Sequence, residues 1–157
     1  MSPKERAVSE FYKAFNELDA EKMVSLYHSQ VEFTDPAFGT LKGEHAGNMW
    51  RMLCKNARDF SVECSGIKED GNRVETKWEA HYTFSRSGRR VHNIIHASFE
   101  FEGDKVIRHI DQFNLHRWAK QALGFKGFLF GGTSFFQKGL QKQTHQLLTK
   151  FEQELKS

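Results

Sequence analysis

Residues Val74-Glu75-Thr76-Lys77-Trp78-Glu79-Ala80-His81-Tyr82-Thr83-Phe84 alternate with a period of two. Val74, Thr76, Trp78, Ala80, Tyr82 and Phe84 share one face; Glu75, Lys77, Glu79 and His81 take the other. A strand of that pattern has one face in a core and one in water. Downstream, Ser87-Gly88 turns the chain and Val91 to Phe101 forms the next strand. Gly103-Asp104 turns it again, and Val106 to Leu115 is the last strand. Upstream, Asp70-Gly71-Asn72 is a turn, preceded by a strand from Phe60 to Cys64. Consecutive strands joined by short turns predict an antiparallel meander.

Before Phe60 the period is nearer 3.6. Ser2-Pro3-Lys4-Glu5 is a helix start, with Ser2 as cap, Pro3 in the first position and Glu5 in the first turn. Ala7, Val8, Phe11, Ala14, Phe15 and Leu18 follow at helical spacing, with Tyr12 beside the stripe. Asp19 caps a second, short helix carrying Met23, Leu26 and Tyr27. Val31 to Asp35 alternates as a short strand that Pro36 ends, because Pro lacks the ladder donor. Gly39 and Gly43 mark a turn-rich connection, and Glu44 to Ala57 is a third helix. Helices first and a curled antiparallel sheet afterwards is an α+β plan, with the helices laid across the concave side. Such a cone leaves an apolar pocket at its open end.

The bulk numbers agree with one folded domain. The chain has 157 residues, 38% hydrophobic and 27% charged, enough to bury a core. Fifteen phenylalanines are more rings than packing alone demands, so some are expected to line a cavity. The net charge is +3, and the one tight basic cluster, Arg86, Arg89 and Arg90, is a hairpin tip, so no nucleic-acid partner is expected. Cys54 and Cys64 form no metal or redox motif, and the opening residues carry no secretory pattern. The expected compartment is therefore cytoplasmic. No stretch approaches the roughly 20 apolar residues of a membrane span, so no stable membrane insertion is expected. GxSxG, P-loop, GxGxxG and HExxH patterns are all missing, which leaves nucleophilic serine chemistry, nucleotide binding and zinc catalysis without a motif. The expected chemistry uses neither cofactor nor metal.

The order helix, helix, VEFTDPAFGTLKG, helix, then strands ending in HASFEFEGDKVIRHIDQF resembles the nuclear-transport-factor-2-like superfamily. The likeness is to its ketosteroid-isomerase-like and SnoaL-like polyketide-cyclase branch, over roughly Phe11 to Phe113. Asp35-Pro36 followed by Gly39 and Gly43 carries the resemblance, as does Phe99-x-Phe101-x-Gly103-x-Lys105-Val106. It implies a cone-shaped (cystatin-like) fold, with a curved antiparallel sheet wrapped on three N-terminal helices over residues 1–116. It also implies a pocket inside the cone, and a homodimer through the sheet. Residues 117–157 resemble a helical extension of a bacterial subset and are expected to pack on the same domain.

The resemblance also assigns candidate residues. Asp35 stands where the isomerases place their proton-transferring Asp, and Tyr12 is a rough match to their Tyr donor. The second acid of their oxyanion hole is absent; its position falls on Ala97, with His96 next to it. His109 and Asp111 match the His/Asp pair of the cyclase-like members and share a face with Phe113. Each has a plainer reading. Asp35 before Pro can be a turn starter, and Asp111 a braced buried carboxylate. His109 can be a satisfied core histidine, and His96 faces outward by phase.

Phe15, Tyr27, Phe33, Trp50, Trp78, Tyr82, Ala97, Phe99 and Phe113 are expected around the pocket, suiting a hydrophobic small-molecule ligand with few polar anchors. The functions these residues allow are a cofactor-free acid/base enzyme (isomerase, cyclase or epoxide-hydrolase type) on a hydrophobic carbonyl or cyclic substrate, a non-catalytic binding module, or a dimeric protein-interaction domain. The tail stretch Gly124-Phe125-Lys126-Gly127-Phe128-Leu129-Phe130-Gly131-Gly132 reads as an aromatic loop. It can be a lid, a dimer arm, a membrane-touching patch or a loop packed back on the sheet. The lack of a Lys/Arg concentration within it argues against membrane contact as its main role.

Overall fold

The computed structural model describes residues 1–157. Helix α1 (Pro3–Asn16) opens on the expected cap: Ser2 Oγ accepts from the Glu5 amide at 3.1 Å, and the Glu5 carboxylate accepts from the Ser2 amide at 2.9 Å. Asp19 caps α2 (Ala20–Ser25). The helix stops there, and Tyr27, expected on it, opens strand β1 (Tyr27–Asp35) instead. The presumed glycine connection contains a short strand, β2 (Gly39–Lys42), which pairs antiparallel with β1. Helix α3 (Glu44–Asn56) follows.

The meander is β3 (Ser61–Asp70), β4 (Arg73–Phe84), β5 (Arg89–Glu102) and β6 (Lys105–Gln112). The six strands form one mixed, open sheet in the order β2-β1-β6-β5-β4-β3, antiparallel except for the parallel pair β1–β6. Its concave face holds the core under α1 and α3, with Phe11, Phe33, Trp50 and Phe99 fully buried. On β4, the alternation read from the sequence places Val74, Thr76, Trp78 and Ala80 inward.

The tail comprises α4 (Leu115–Leu123), α5 (Phe125–Phe130) and α6 (Ser134–Leu155). The stretch read as an aromatic loop is thus largely helical. Helix α6 returns across the open end of the cone. It buries Leu148 and Phe151 in the main core, and Glu152 accepts from Asn48 of α3.

Candidate functional site

The β1–β6 register builds the site. Phe33 pairs with His109 and Thr34 with Ile110, so the next residues, Asp35 at the end of β1 and Asp111 one residue before the end of β6, lie at the same level on two adjacent parallel strands. Alternation sends both carboxylates to the concave side. There they face a cavity of about 470 Å³. Phe15, Phe33, Trp50, Trp78, Tyr82 and Phe113 line it, as expected from the sequence. Leu140, Thr144, Leu147 and Phe151 of α6 complete the wall, so the chain's own tail closes its own cavity.

Asp35 Oδ1 accepts the amides of Ala37 (2.9 Å) and Phe38 (2.6 Å). This is the turn predicted by the plain reading, and the same carboxylate also lines the cavity. Helix α6 clamps that turn: Gln137 and Gln141 donate to the Pro36 carbonyl, Thr144 donates to Ala37, and His145 pairs with Phe38 O. Burial, reinforced by the nearby Asp111 charge, pushes the Asp35 carboxyl up to about 7 against the pull of its two amide donors.

Asp111 is 3% exposed, and its Oδ1 is held by His109 Nε2 at 2.8 Å and, more loosely, by Trp78 Nε1 at 3.4 Å. Neither Oδ2 of Asp35 nor Oδ2 of Asp111 has a protein partner, and neither is sealed off from solvent-sized space. Each carboxylate therefore has one oxygen anchored and one free toward the cavity.

Behind Asp111 runs a directed chain. Trp50 Nε1 can only donate, and it donates to Tyr27 Oη at 2.8 Å. Tyr27 Oη lies 2.7 Å from His109 Nδ1, and His109 Nε2 lies 2.8 Å from Asp111 Oδ1; in the tautomer with its proton on Nε2 the imidazole accepts from Tyr27 and donates to Asp111. His109 has 0% exposure; its ring stacks on Phe99 (4.0 Å between centroids) and meets Phe33 edge-on (5.0 Å). It therefore reaches the cavity only through Asp111.

Besides His109, four expected site residues do not line the cavity. Tyr12 is buried in α1 and its hydroxyl has no partner, so it positions nothing by hydrogen bonding. Burial next to Asp111 raises its phenol well above the usual value. Tyr27, Ala97 and Phe99 lie beneath the cavity wall: Phe99 pairs with His109 across β5–β6 and Ala97 with Asp111. His96 is exposed on the outer face. The residue whose role sequence reasoning missed is Tyr27. The alternation Val31, Phe33, Asp35, extended back through Ser29, would have placed it on the inward face. Among the described residues no cluster of His, Cys, Asp and Glu could hold a metal ion.

A family model for the SnoaL-like domain matches residues 8–109. The chain belongs to this family. No curated protein matches it in sequence. Among solved structures, TerC co-crystallised with polyporic acid is 23% identical with a TM-score of 0.66, covering 77% of this chain and 98% of that one. A nuclear-transport-factor-2-like protein of unknown function from Burkholderia pseudomallei is 19% identical (TM-score 0.69; 78% and 99% covered). An LEH-like epoxide hydrolase from M. tuberculosis is 19% identical (TM-score 0.65; 81% and 92% covered). At these identities the likeness is one of fold, the nuclear-transport-factor-2-like cone.

Proposed function

We propose that this SnoaL-like domain is a cofactor-free acid/base enzyme acting on a hydrophobic carbonyl or cyclic substrate held in the cone. The observation that carries the reading is the pair of half-anchored carboxylates, Asp35 and Asp111, at one apolar cavity. Their environments differ. Asp111 is backed by the Trp50–Tyr27–His109 hydrogen-bond chain, which fixes its Oδ1 and leaves Oδ2 aimed at the cavity to act as the base. Asp35, raised to about 7, is substantially protonated at neutral pH and can serve as the acid. In a proton-transfer reaction Asp111 Oδ2 takes the proton from carbon next to the carbonyl. Asp35 hydrogen-bonds or protonates the oxygen where charge develops.

Neighbours described as co-crystallised with polyporic acid and as an epoxide hydrolase are consistent with this substrate class. The homodimer implied by the resemblance would use the outer face of the sheet. There the rings of His81 and His92 stack at 4.1 Å, away from the cavity.

The test is deuterium exchange from heavy water into a panel of cyclic ketones, with ring opening of epoxides run in parallel. The reading expects exchange or opening by the wild type and losses of about 10²–10⁴-fold in Asp111→Asn. If ligands bind and the wild type catalyses neither exchange nor ring opening, the protein is a binding module; turnover that survives both Asp35→Asn and Asp111→Asn contradicts the roles given to the two carboxylates.

A further inference from the structure

Helix α5 is built inside out. In a water-facing helix the apolar residues turn inward. Here the glycines do. Gly127 is buried, and a Cβ on it would fall within the contact radius of the Ala119 carbonyl of α4. Gly131 is pressed against the Ala119 side chain in the same way. This backbone-to-backbone seat turns the other side outward. Phe125 is 73% exposed, Phe128, Leu129 and Phe130 are at least half exposed, and Phe135, at the start of α6, is 88% exposed. Phe125, Phe128 and Leu129 stand at i, i+3 and i+4, so they share one face.

The surroundings of this face are basic. No Asp or Glu occurs in the sequence between Asp111 and Glu152. Lys120, whose backbone meets Gly127, and Lys126 border the face, while Lys138, Lys142 and Lys150 line a separate groove beside Phe38, Gly39 and Thr40. The fold adds more charge from a distant part of the sequence. The β4–β5 hairpin tip is tied to the end of α4, with Ser87 Oγ donating to Ala122 O and Arg89 Nε to Gln121 O, which lays the Arg89 guanidinium against Gly124. The aromatic segment alone contains only Lys126; its cationic rim is assembled by packing. That is why its sequence, taken by itself, argued against membrane contact.

We propose that the α5 face docks the protein reversibly on an anionic lipid surface, with the phenylalanines entering the headgroup boundary and Arg89, Lys120 and Lys126 meeting the lipid charges. A second copy of the chain fits less well, because in a two-fold contact the same basic rim would face itself. No helix is long and apolar enough to cross a membrane, so the contact lies on the surface. Helices α4 and α6, which flank α5, contribute Trp118 and Leu140 to the cavity wall. The docked face thus lies next to the pocket, which suits a ligand that dissolves in lipid.

The experiment is co-sedimentation of the full chain with phosphatidylglycerol vesicles and with phosphatidylcholine vesicles. The proposal expects binding to phosphatidylglycerol that falls with added salt, and at least tenfold weaker binding to phosphatidylcholine. A Phe125→Ser, Phe128→Ser, Leu129→Ser variant should lose the binding while keeping the wild-type melting temperature, since these side chains are exposed. Lys120→Glu with Lys126→Glu should weaken it separately. Wild-type protein left in the supernatant, or a serine variant that binds undiminished, overturns the proposal. So does a serine variant that instead turns a dimer into a monomer in light scattering, which would make the face a self-interface. None of these readouts depends on turnover, so enzymatic activity is tested separately.

Discussion

The interior of the cone and helix α5 are both rich in phenylalanine and are organised in opposite ways. Inside the cone the rings face each other and, the Tyr12 hydroxyl apart, the polar groups among them are paired: Trp50 with Tyr27, Tyr27 with His109, His109 with Asp111. On α5 the rings face outward and glycines form the contact surface. Composition cannot distinguish these regions. What separates them is which face of each element meets a neighbour, and that is decided by packing between elements far apart in sequence.

The comparison can be broken most forcefully at His109. His109→Ala removes a fully buried ring and leaves Tyr27 with Trp50 alone and Asp111 with only its looser Trp78 contact. Thermal or chemical unfolding should show a loss of about 3 kcal/mol or more. A loss below about 1 kcal/mol would mean that the buried chain does not act as a unit. The counterpart on α5 is Gly127→Ala, where a methyl group collides with the α4 backbone. It should cost about 1–3 kcal/mol and expose the tail to limited proteolysis. An unchanged cleavage pattern would contradict the glycine seat.

Asp35 gives a smaller effect with a definite sign. Its folded-state value, about 7, lies above the unfolded one. Its contribution is therefore intact below about pH 4 and is lost as pH rises through about 7. Asp35→Asn should leave low-pH stability near wild type and become the more stable form above pH 7, by on the order of 1–2 kcal/mol, since cavity water screens part of the cost. Parallel stability–pH curves for the two proteins would remove the argument for a raised carboxyl. Tyr12→Phe is the smallest change. Deleting an unpaired buried hydroxyl should stabilise by up to about 1 kcal/mol and leave any activity intact. A fall in activity would restore Tyr12 to the site.

These residues also show how far the sequence could be read. The meander was legible because alternation from Val74 to Phe84 continues across the next turn with few interruptions. The first helix was legible because its capping box is local. Strand β2 was not, since four residues with one buried side chain, Leu41, make no periodic signal. Helix α5 was missed because glycines usually mark loops, and only the Ala119 contact shows them serving close packing. Asp35, Asp111 and His109 were singled out as candidates through a resemblance, and the fold brings the three together. The exchange of Tyr12 for Tyr27 was hidden because both are rings near apolar stripes. Hydrogen-bond direction depends on the fold. The α6 clamp on the Asp35 turn was likewise invisible, because its partners are about a hundred residues apart.

The most direct test of paired carboxylates with divided roles is the pH dependence of kcat/KM on any carbonyl or epoxide substrate that the wild type turns over. With Asp35 as the acid, the rate should hold below pH 7 and fall as Asp35 loses its proton above it. That descending limb should be absent from the residual activity of Asp35→Asn. A wild-type profile flat through pH 7, or an Asp35→Asn profile with the same descending limb, would contradict the assignment.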